Sequence, residues 1–178
     1  MSSSREAIET YIRAKDENRP YLMPRAFAAE ATLEVIVKTG TIAFPPASTG
    51  LASICDVLVR KFTQSYENIH TFCLATPPSD MVLNFSCDWL VGMSERDGEK
   101  VRVGCGRYDW SFHPHGLVDR IIITIRMMES LDPSHLSIVM DWLGDLPYPW
   151  CTRELALTSM PPLDALRSIR NDLIHACT

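Results

Sequence analysis

One stretch of the sequence, Gly106–Arg126, predicts two strands joined by a tight turn; it reads GRYDWSFHPHGLVDRIIITIR. Before the turn, Tyr108 and Trp110 alternate with polar residues, and after it Ile121 and Ile123 share one face. Alternation with a period of two is typical of half-buried strands. The HPHG segment between them combines proline with glycine, which is typical of a turn. The stretch is therefore predicted to form an antiparallel hairpin.

A β-bulge is predicted just before this hairpin. Val101 and Val103 are apolar at odd positions, whereas Tyr108 and the aromatic residues after it occupy even positions. Gly104 and Gly106 flank the point where the parity changes. One extra residue in a strand reverses the face to which later side chains point, and glycine is frequent where this happens.

The residues around the hairpin predict an α+β fold with a mixed, mainly antiparallel sheet and helices before and after it. Ser3 and Glu6 have the spacing of a capping box, and an apolar stripe with helical period follows them. The predicted elements are a helix over 5–17, a short helix around 22–27, a strand over 31–39, a helix from 48 or 49 to about 66, strands around 70–75, 81–93, 100–113 and 118–127, a helix over 132–144 and a last helix around 163–173.

Polar residues on the strands predict the outer face of the sheet. Asn84 and Asp88 alternate with an apolar face, and Arg120 and Arg126 fit the same outward set. Opposite charges on neighbouring strands stabilise a sheet when they lie across from each other. We therefore expect these residues to pair on the outer surface, across strands or across a dimer.

Composition excludes some classes of partner and location. The 178 residues carry a net charge of −5, and no run of lysine or arginine is present, which argues against nucleic acid or an anionic membrane as a partner. The first residues, MSSSREAIE, lack the pattern of a secretory signal, and no apolar run approaches the roughly 20 residues of a membrane span. A cytoplasmic protein is predicted.

The cysteines and histidines do not predict a metal site. His113 and His115 have the spacing of two ligands on one strand face, but their place in a turn before Gly116 favours exposed side chains. The cysteines contain no CxxC pair and are expected to be reduced and buried. We predict neither a metal nor a cofactor. The six cysteines are Cys55, Cys73, Cys87, Cys105, Cys151 and Cys177.

The order of elements, together with four short motifs, resembles the nuclear transport factor 2-like superfamily, which includes ketosteroid isomerases, scytalone dehydratases and SnoaL-like polyketide cyclases. The motifs are Tyr11 on the first helix, FAAEATLE over 27–34, Ser48-Thr49-Gly50 and HGLVDRI over 115–121. The resemblance implies a curved sheet wrapped round the N-terminal helices, a cone-shaped α+β barrel with a pocket at its open end. It implies a SnoaL-like cone domain over 1–131, a helical extension over 132–178 packing on it, and a homodimer through the outer sheet face.

The same resemblance shows that three catalytic patterns each lack their acid in this chain. The general-base aspartate of the ketosteroid isomerases falls on Val35, and Glu34 beside it points to the opposite face by strand alternation. The acid of the scytalone dehydratases falls at about Arg13, and that of the cyclases at Ile122 or Ile123. The enzymatic interpretations are therefore weakened together.

Three residues remain candidates for acid/base chemistry, each with a structural alternative. Tyr11 is a candidate hydrogen-bond donor to an oxyanion, or a core aromatic residue. His70 is a candidate proton carrier near neutral pH, or a histidine satisfied by one backbone partner. Asp109 is a proton carrier only if it faces the pocket, and the inward aromatic residues on either side of it favour the outward direction.

We therefore predict an apolar pocket for a small hydrophobic molecule; any chemistry in it would be cofactor-independent acid/base isomerisation, dehydration or cyclisation. The alternative is a non-catalytic ligand-binding or dimeric interaction module. A third interpretation places the C-terminal helices over the mouth of the cone. The residues predicted to line the pocket are Phe27, Val35, Phe85, Trp89, Tyr108 and Trp110.

Overall fold

Six strands form one mixed sheet in the computed structural model, which describes residues 3–79 and 81–176. Their order across the sheet is β2-β1-β6-β5-β4-β3, in which β1 and β6 are parallel and every other pair is antiparallel. Since β2 and β3 lie at the two edges, the sheet is curved but not closed into a barrel. The strands are β1 Phe27–Val37, β2 Ala47–Thr49, β3 Tyr66–Leu74, β4 Asn84–Glu95, β5 Val101–Phe112 and β6 Val118–Leu131.

The helices before β3 pack on the inner face of the sheet. The predicted capping box is present at the start of α1 (Ser4–Asp16). The next long helical segment consists of α2 (Leu51–Cys55), a π-helical turn (Asp56–Arg60) and α3 (Phe62–Ser65). It begins after Ser48 and Thr49 rather than with them, because those two residues pair with β1 as strand β2. A 3₁₀ helix, Pro20–Arg25, links α1 to β1.

The predicted bulge is confirmed between Cys105 and Gly106, where the pairing of β5 with β6 shifts register. Beyond it Tyr108 joins the inner core, whereas Val103 before it joins a second core on the outer face. Gly106 is required here because a Cβ atom would overlap the carbonyl oxygen of Thr124 and lie 2.7 Å from the indole of Trp89.

The C-terminal segment covers part of the outer face of the sheet. Its helices are α4 (Leu136–Gly144), α5 (Arg153–Ser159) and α6 (Arg167–His175), with 3₁₀ turns at Pro133–His135 and Asp164–Leu166. The short helix α5 was not predicted. These helices pack on the sheet and not over the mouth of the cone. The second core that they form with the sheet includes Phe72, Leu90, Val103, Trp142, Leu143, Ile169 and Leu173.

A cluster of four charged residues, the Asp88 cluster, joins this segment to the sheet. The Asp88 carboxylate accepts from Arg126 at 3.2 Å and from Arg153 at 2.6 Å, and Arg126 also donates to Asp172 at 3.0 Å. The predicted pairing of Asp88 with Arg126 is confirmed. The predicted exposure of Asp88 is wrong, because α5 and α6 cover it and leave only 5% of its side chain exposed. The thiol of Cys105, on β5, also donates to the Asp172 carboxylate.

The uncovered part of the outer face is mainly polar and internally paired, although Ile36 is exposed there. Asp109 accepts from Ser86 and Arg107, and Arg120 donates to Glu34. A stable dimer interface has a core of apolar side chains, and here the chain's own helices already occupy most of the apolar part of the face. We therefore expect a monomer rather than the homodimer that the resemblance implies. Light scattering coupled to size exclusion measures the mass, and a species of twice the monomer mass would contradict this expectation.

The remaining predictions about cysteines and membranes concern single residues and helices. Five cysteines are free and buried, and Cys177 lies outside the described residues. Within residues 3–79 and 81–176, no group of His, Cys, Asp and Glu side chains has the arrangement of a metal site. No helix in that same part of the chain has the length and apolar character needed to cross a membrane.

Candidate functional site

A cavity of about 50 Å³ lies between α1, the helical segment over 51–65 and the inner face of the sheet. Its wall is aromatic and aliphatic, because the alternation of β1, β4, β5 and β6 points apolar side chains inward. Two aromatic side chains, Trp89 and Tyr108, lie on one side of it, with their ring centroids 5.8 Å apart. The other lining residues include Tyr11, Lys15, Val35, Leu58, Phe62, Val91 and Ile123.

The structure separates the predicted pocket residues into a lining and a layer behind it. Val35, Trp89, Tyr108 and Tyr11 line the cavity. Phe27 and Trp110 lie behind Tyr11, each with its ring centroid 5.6 Å from the Tyr11 ring in an edge-to-face arrangement. They fix the position of the Tyr11 ring.

Phe85 lies outside the cavity lining, because it packs instead against Trp150 of the C-terminal segment, with ring centroids 6.0 Å apart.

The polar end of the cavity is formed by the last turns of α1. The Lys15 ammonium donates to the hydroxyl of Thr71 at 2.5 Å and lies 3.4 Å from the Asp16 carboxylate. Lys15 was not predicted as a site residue, because lysines are rarely buried unless paired. Its spacing of four residues from Tyr11 places both side chains on one face of the helix, and this spacing was the available signal.

The two tyrosine hydroxyls of the cavity are hydrogen-bond donors. Burial raises the pKa of Tyr11 well above its usual value, although the neighbouring Tyr108 side chain offsets part of this effect. Burial also raises the pKa of Tyr108, and the nearby Tyr11 adds to it. Both hydroxyls therefore stay protonated at neutral pH, so they can bind an oxygen atom of a ligand but cannot accept a proton as phenolates.

The structure does not bring His70 and Asp109 together with Tyr11. His70 lies on the outer side of β3, where its ring nitrogen is 3.2 Å from the carbonyl oxygen of Asn68. It borders a separate groove between α1, β3 and Tyr148. The outward alternative for Asp109 is the observed one, since its carboxylate accepts from Ser86 at 2.6 Å on the outer face.

Three side chains separate the cavity from a larger groove at the surface. Ile42, Phe44 and Phe62 border both the cavity and this groove, whose volume is about 380 Å³. The rings of Phe44 and Phe62 stack with centroids 6.1 Å apart and planes 22° apart. We call Ile42, Phe44 and Phe62 the gate, because displacing them would join the cavity to the groove.

Solved structures with the same architecture place the chain in a fold class. A nuclear transport factor 2-like protein from Salmonella enterica serovar Typhimurium is 16% identical, covers 69% of this chain and 88% of its own, and has a TM-score of 0.54. A ketosteroid isomerase-like protein from Catenulispora acidiphila, in complex with trimethylamine, is 13% identical over 66% of this chain and 83% of its own, with a TM-score of 0.53. An epoxide hydrolase-like protein from Mycobacterium tuberculosis is 8% identical over 68% and 81%, with a TM-score of 0.51.

The chain therefore has the nuclear transport factor 2-like fold, as its sequence predicted. No protein-family model matches the sequence, and no curated protein matches it. The shared fold includes proteins with different activities, so the fold alone does not define the function of this chain, and the residues of the cavity have to be considered.

Proposed function

We propose that the chain binds a small, mainly apolar molecule in the cavity beside Tyr11. The observation that carries this proposal is the aromatic and aliphatic wall of the cavity, with polar groups at one end. Such a combination is typical of small-molecule sites, where apolar surface provides affinity and a few polar atoms fix orientation. The Catenulispora protein with this fold holds trimethylamine, which supports the view that the fold accommodates a small molecule.

The same cavity supports binding better than it supports acid/base catalysis. Isomerisation, dehydration and cyclisation by acid/base chemistry need a group that accepts a proton in the transition state. Among the described residues that line the cavity, none is a carboxylate or a histidine. Asp16 lies behind Lys15, and its carboxylate already accepts from the backbone and hydroxyl of Thr71 and from the hydroxyl of Tyr148.

Binding of a ligand larger than the cavity requires the gate to move. Typical ligand sites have volumes of roughly 300–1,000 Å³, so the cavity of about 50 Å³ is too small for most ligands. The groove beyond Phe44 and Phe62 supplies the missing volume. Both aromatic side chains are only half-buried, and surface side chains change rotamer within nanoseconds.

Filling the cavity is expected to weaken ligand binding. Val35→Phe puts a ring into the space beside Tyr11, and we expect it to weaken the binding of toluene at least tenfold. The matched control is Ile36→Phe, which adds the same ring to the next residue of β1 on the exposed outer face. Amide chemical-shift titration with toluene measures both affinities. The proposal is contradicted if the wild-type chain shows no saturable shifts, or if Val35→Phe binds as well as Ile36→Phe.

A further inference from the structure

Two donors at the polar end of the cavity lack an acceptor. The ammonium of Lys15 carries three N–H groups, of which Thr71 and Asp16 take two. The third has no acceptor among the described residues, and the ring of Phe62 lies 5.2 Å from the nitrogen. The ring of Tyr11 packs edge-to-face against Tyr108 in the cavity wall. No acceptor among the described residues takes the proton of the Tyr11 hydroxyl, so that proton is available to a ligand.

The acceptors at this end are already engaged. The Asp16 carboxylate is 3% exposed. It accepts from the Thr71 backbone at 2.7 Å, from the Thr71 hydroxyl at 2.8 Å and from Tyr148 at 2.8 Å, in addition to its ion pair with Lys15. The hydroxyl oxygen of Thr71 itself accepts from Lys15. The polar end therefore offers donors to a ligand and little capacity to accept a hydrogen bond from one.

We propose that the cavity selects ligands that end in a carboxylate, with Lys15 and Tyr11 each donating to one of its oxygens. This inference rests on the proposed function, since it names the ligand class of the same cavity. Tyr11 and Lys15 are one helical turn apart, which puts their Cβ atoms roughly 5–6 Å apart on one face of α1. Both side chains therefore line the same cavity, where each can donate to one oxygen of a carboxylate while the apolar wall holds the rest of the molecule.

The charge of Lys15 favours an anion even though Asp16 is close to it. Two hydrogen bonds from Thr71 and one from Tyr148 disperse the negative charge of Asp16. The repulsion between Asp16 and an anionic ligand is therefore weakened. A hydrogen bond between an ammonium and a carboxylate is about twice as strong as one between neutral groups. An apolar ligand without an oxygen atom would leave both spare donors unpaired.

The position of Phe62 links carboxylate binding to the gate. Before a ligand enters, the ring of Phe62 faces the Lys15 ammonium as a cation–π partner. The same ring belongs to the gate. When Phe62 moves, Lys15 loses this contact, and the carboxylate of an entering ligand replaces it.

Two probes of nearly equal shape test the inference: toluene and benzoate, which has a carboxylate in place of the methyl group. Titration followed by amide chemical shifts is carried out on the wild-type chain, on Lys15→Met and on Lys38→Met. Lys38 is exposed, so this control removes the same charge without touching the cavity. We expect the wild-type chain and Lys38→Met to bind benzoate at least about tenfold more tightly than toluene. We expect Lys15→Met to lose this preference, so that within this variant the affinities for benzoate and toluene differ by less than about twofold.

The outcomes separate this inference from the proposed function. If the wild-type chain binds neither probe, both proposals are overturned. If it binds toluene but benzoate no more tightly, or if Lys15→Met keeps the preference for benzoate, only the carboxylate inference is overturned. Should Lys15→Met fail to fold because Asp16 loses its cation, the double variant Lys15→Met/Asp16→Asn removes both charges and gives the same readout.

Discussion

Replacing Asp88 by alanine is expected to lower the free energy of unfolding by about 3 kcal/mol. Removing one member of a buried ion pair typically costs about 3–5 kcal/mol, because the remaining charge is left without a partner. In this chain the loss affects two arginines, Arg126 and Arg153, whose side chains are 19% and 22% exposed. Arg126 keeps its bond to Asp172, which places the expected cost at the lower end of that range.

The matched control is Asp109→Ala on the neighbouring strand. Its carboxylate also pairs with an arginine, Arg107, but 36% of the Asp109 side chain and 50% of the Arg107 side chain are exposed. An exposed pair of this kind contributes less than about 1 kcal/mol. Urea unfolding followed by far-UV circular dichroism measures both variants. Equal losses in the two variants would show that the C-terminal helices do not bury Asp88 as the structure describes.

A methyl group at position 106 is expected to destabilise the sheet by at least about 3 kcal/mol, which is the upper end of the usual cost of overpacking. In Gly106→Ala the new Cβ overlaps the carbonyl oxygen of Thr124, which belongs to the backbone of β6 and cannot rotate away. On its other side the Trp89 ring is 2.7 Å away and is itself part of the cavity wall. The strand pairing at the bulge has to shift to relieve the overlap.

Gly40→Ala provides the comparison for this variant, because a Cβ atom at Gly40 has no heavy atom within 4 Å. We expect its unfolding free energy to stay within about 0.5 kcal/mol of the wild-type value. Thermal and urea unfolding of the two alanine variants provide the test. If Gly106→Ala is as stable as Gly40→Ala, the bulge does not bring β5 and β6 as close together as described.

Local patterns in the sequence were sufficient to predict most of the fold. The capping box at Ser3 and Glu6, the parity change at Gly104 and Gly106, and the glycine at the end of α4 each depend on residues a few positions apart. The order of elements then resembled one known fold, and the solved structures agree with it. Structural features that depend on residues close together in the sequence could therefore be predicted without the structure.

The position of His70 was not predictable from strand alternation. Alternation identifies the inner face of a strand only when the other face is polar. On β3 both faces are buried, since Thr71 and Cys73 point inward while Phe72 and Leu74 point toward the C-terminal helices. The sequence of β3 therefore contains no signal for the direction in which His70 points.

The burial of Asp88 depended on residues far away in the sequence. Its partner Arg153 is 65 positions further along the chain, and the helix that carries it, α5, has only seven residues. A pattern analysis of β4 alone places Asp88 on a polar face and hence in water. Lys15 was missed for a related reason: its partner Thr71 is on β3, 56 positions away.

The covering of the outer face by the C-terminal helices has a consequence for the way in which the chain folds as it is synthesised. All six strands are complete at residue 131, whereas the helices that bury Phe72, Leu90 and Val103 begin after it. A growing chain that has formed its sheet therefore exposes this apolar surface until residues 132–178 follow. Exposed surface of this kind makes folding intermediates prone to aggregation. We therefore expect chains truncated after residue 131 to aggregate more readily than the full chain, because the C-terminal helices that cover this surface are missing.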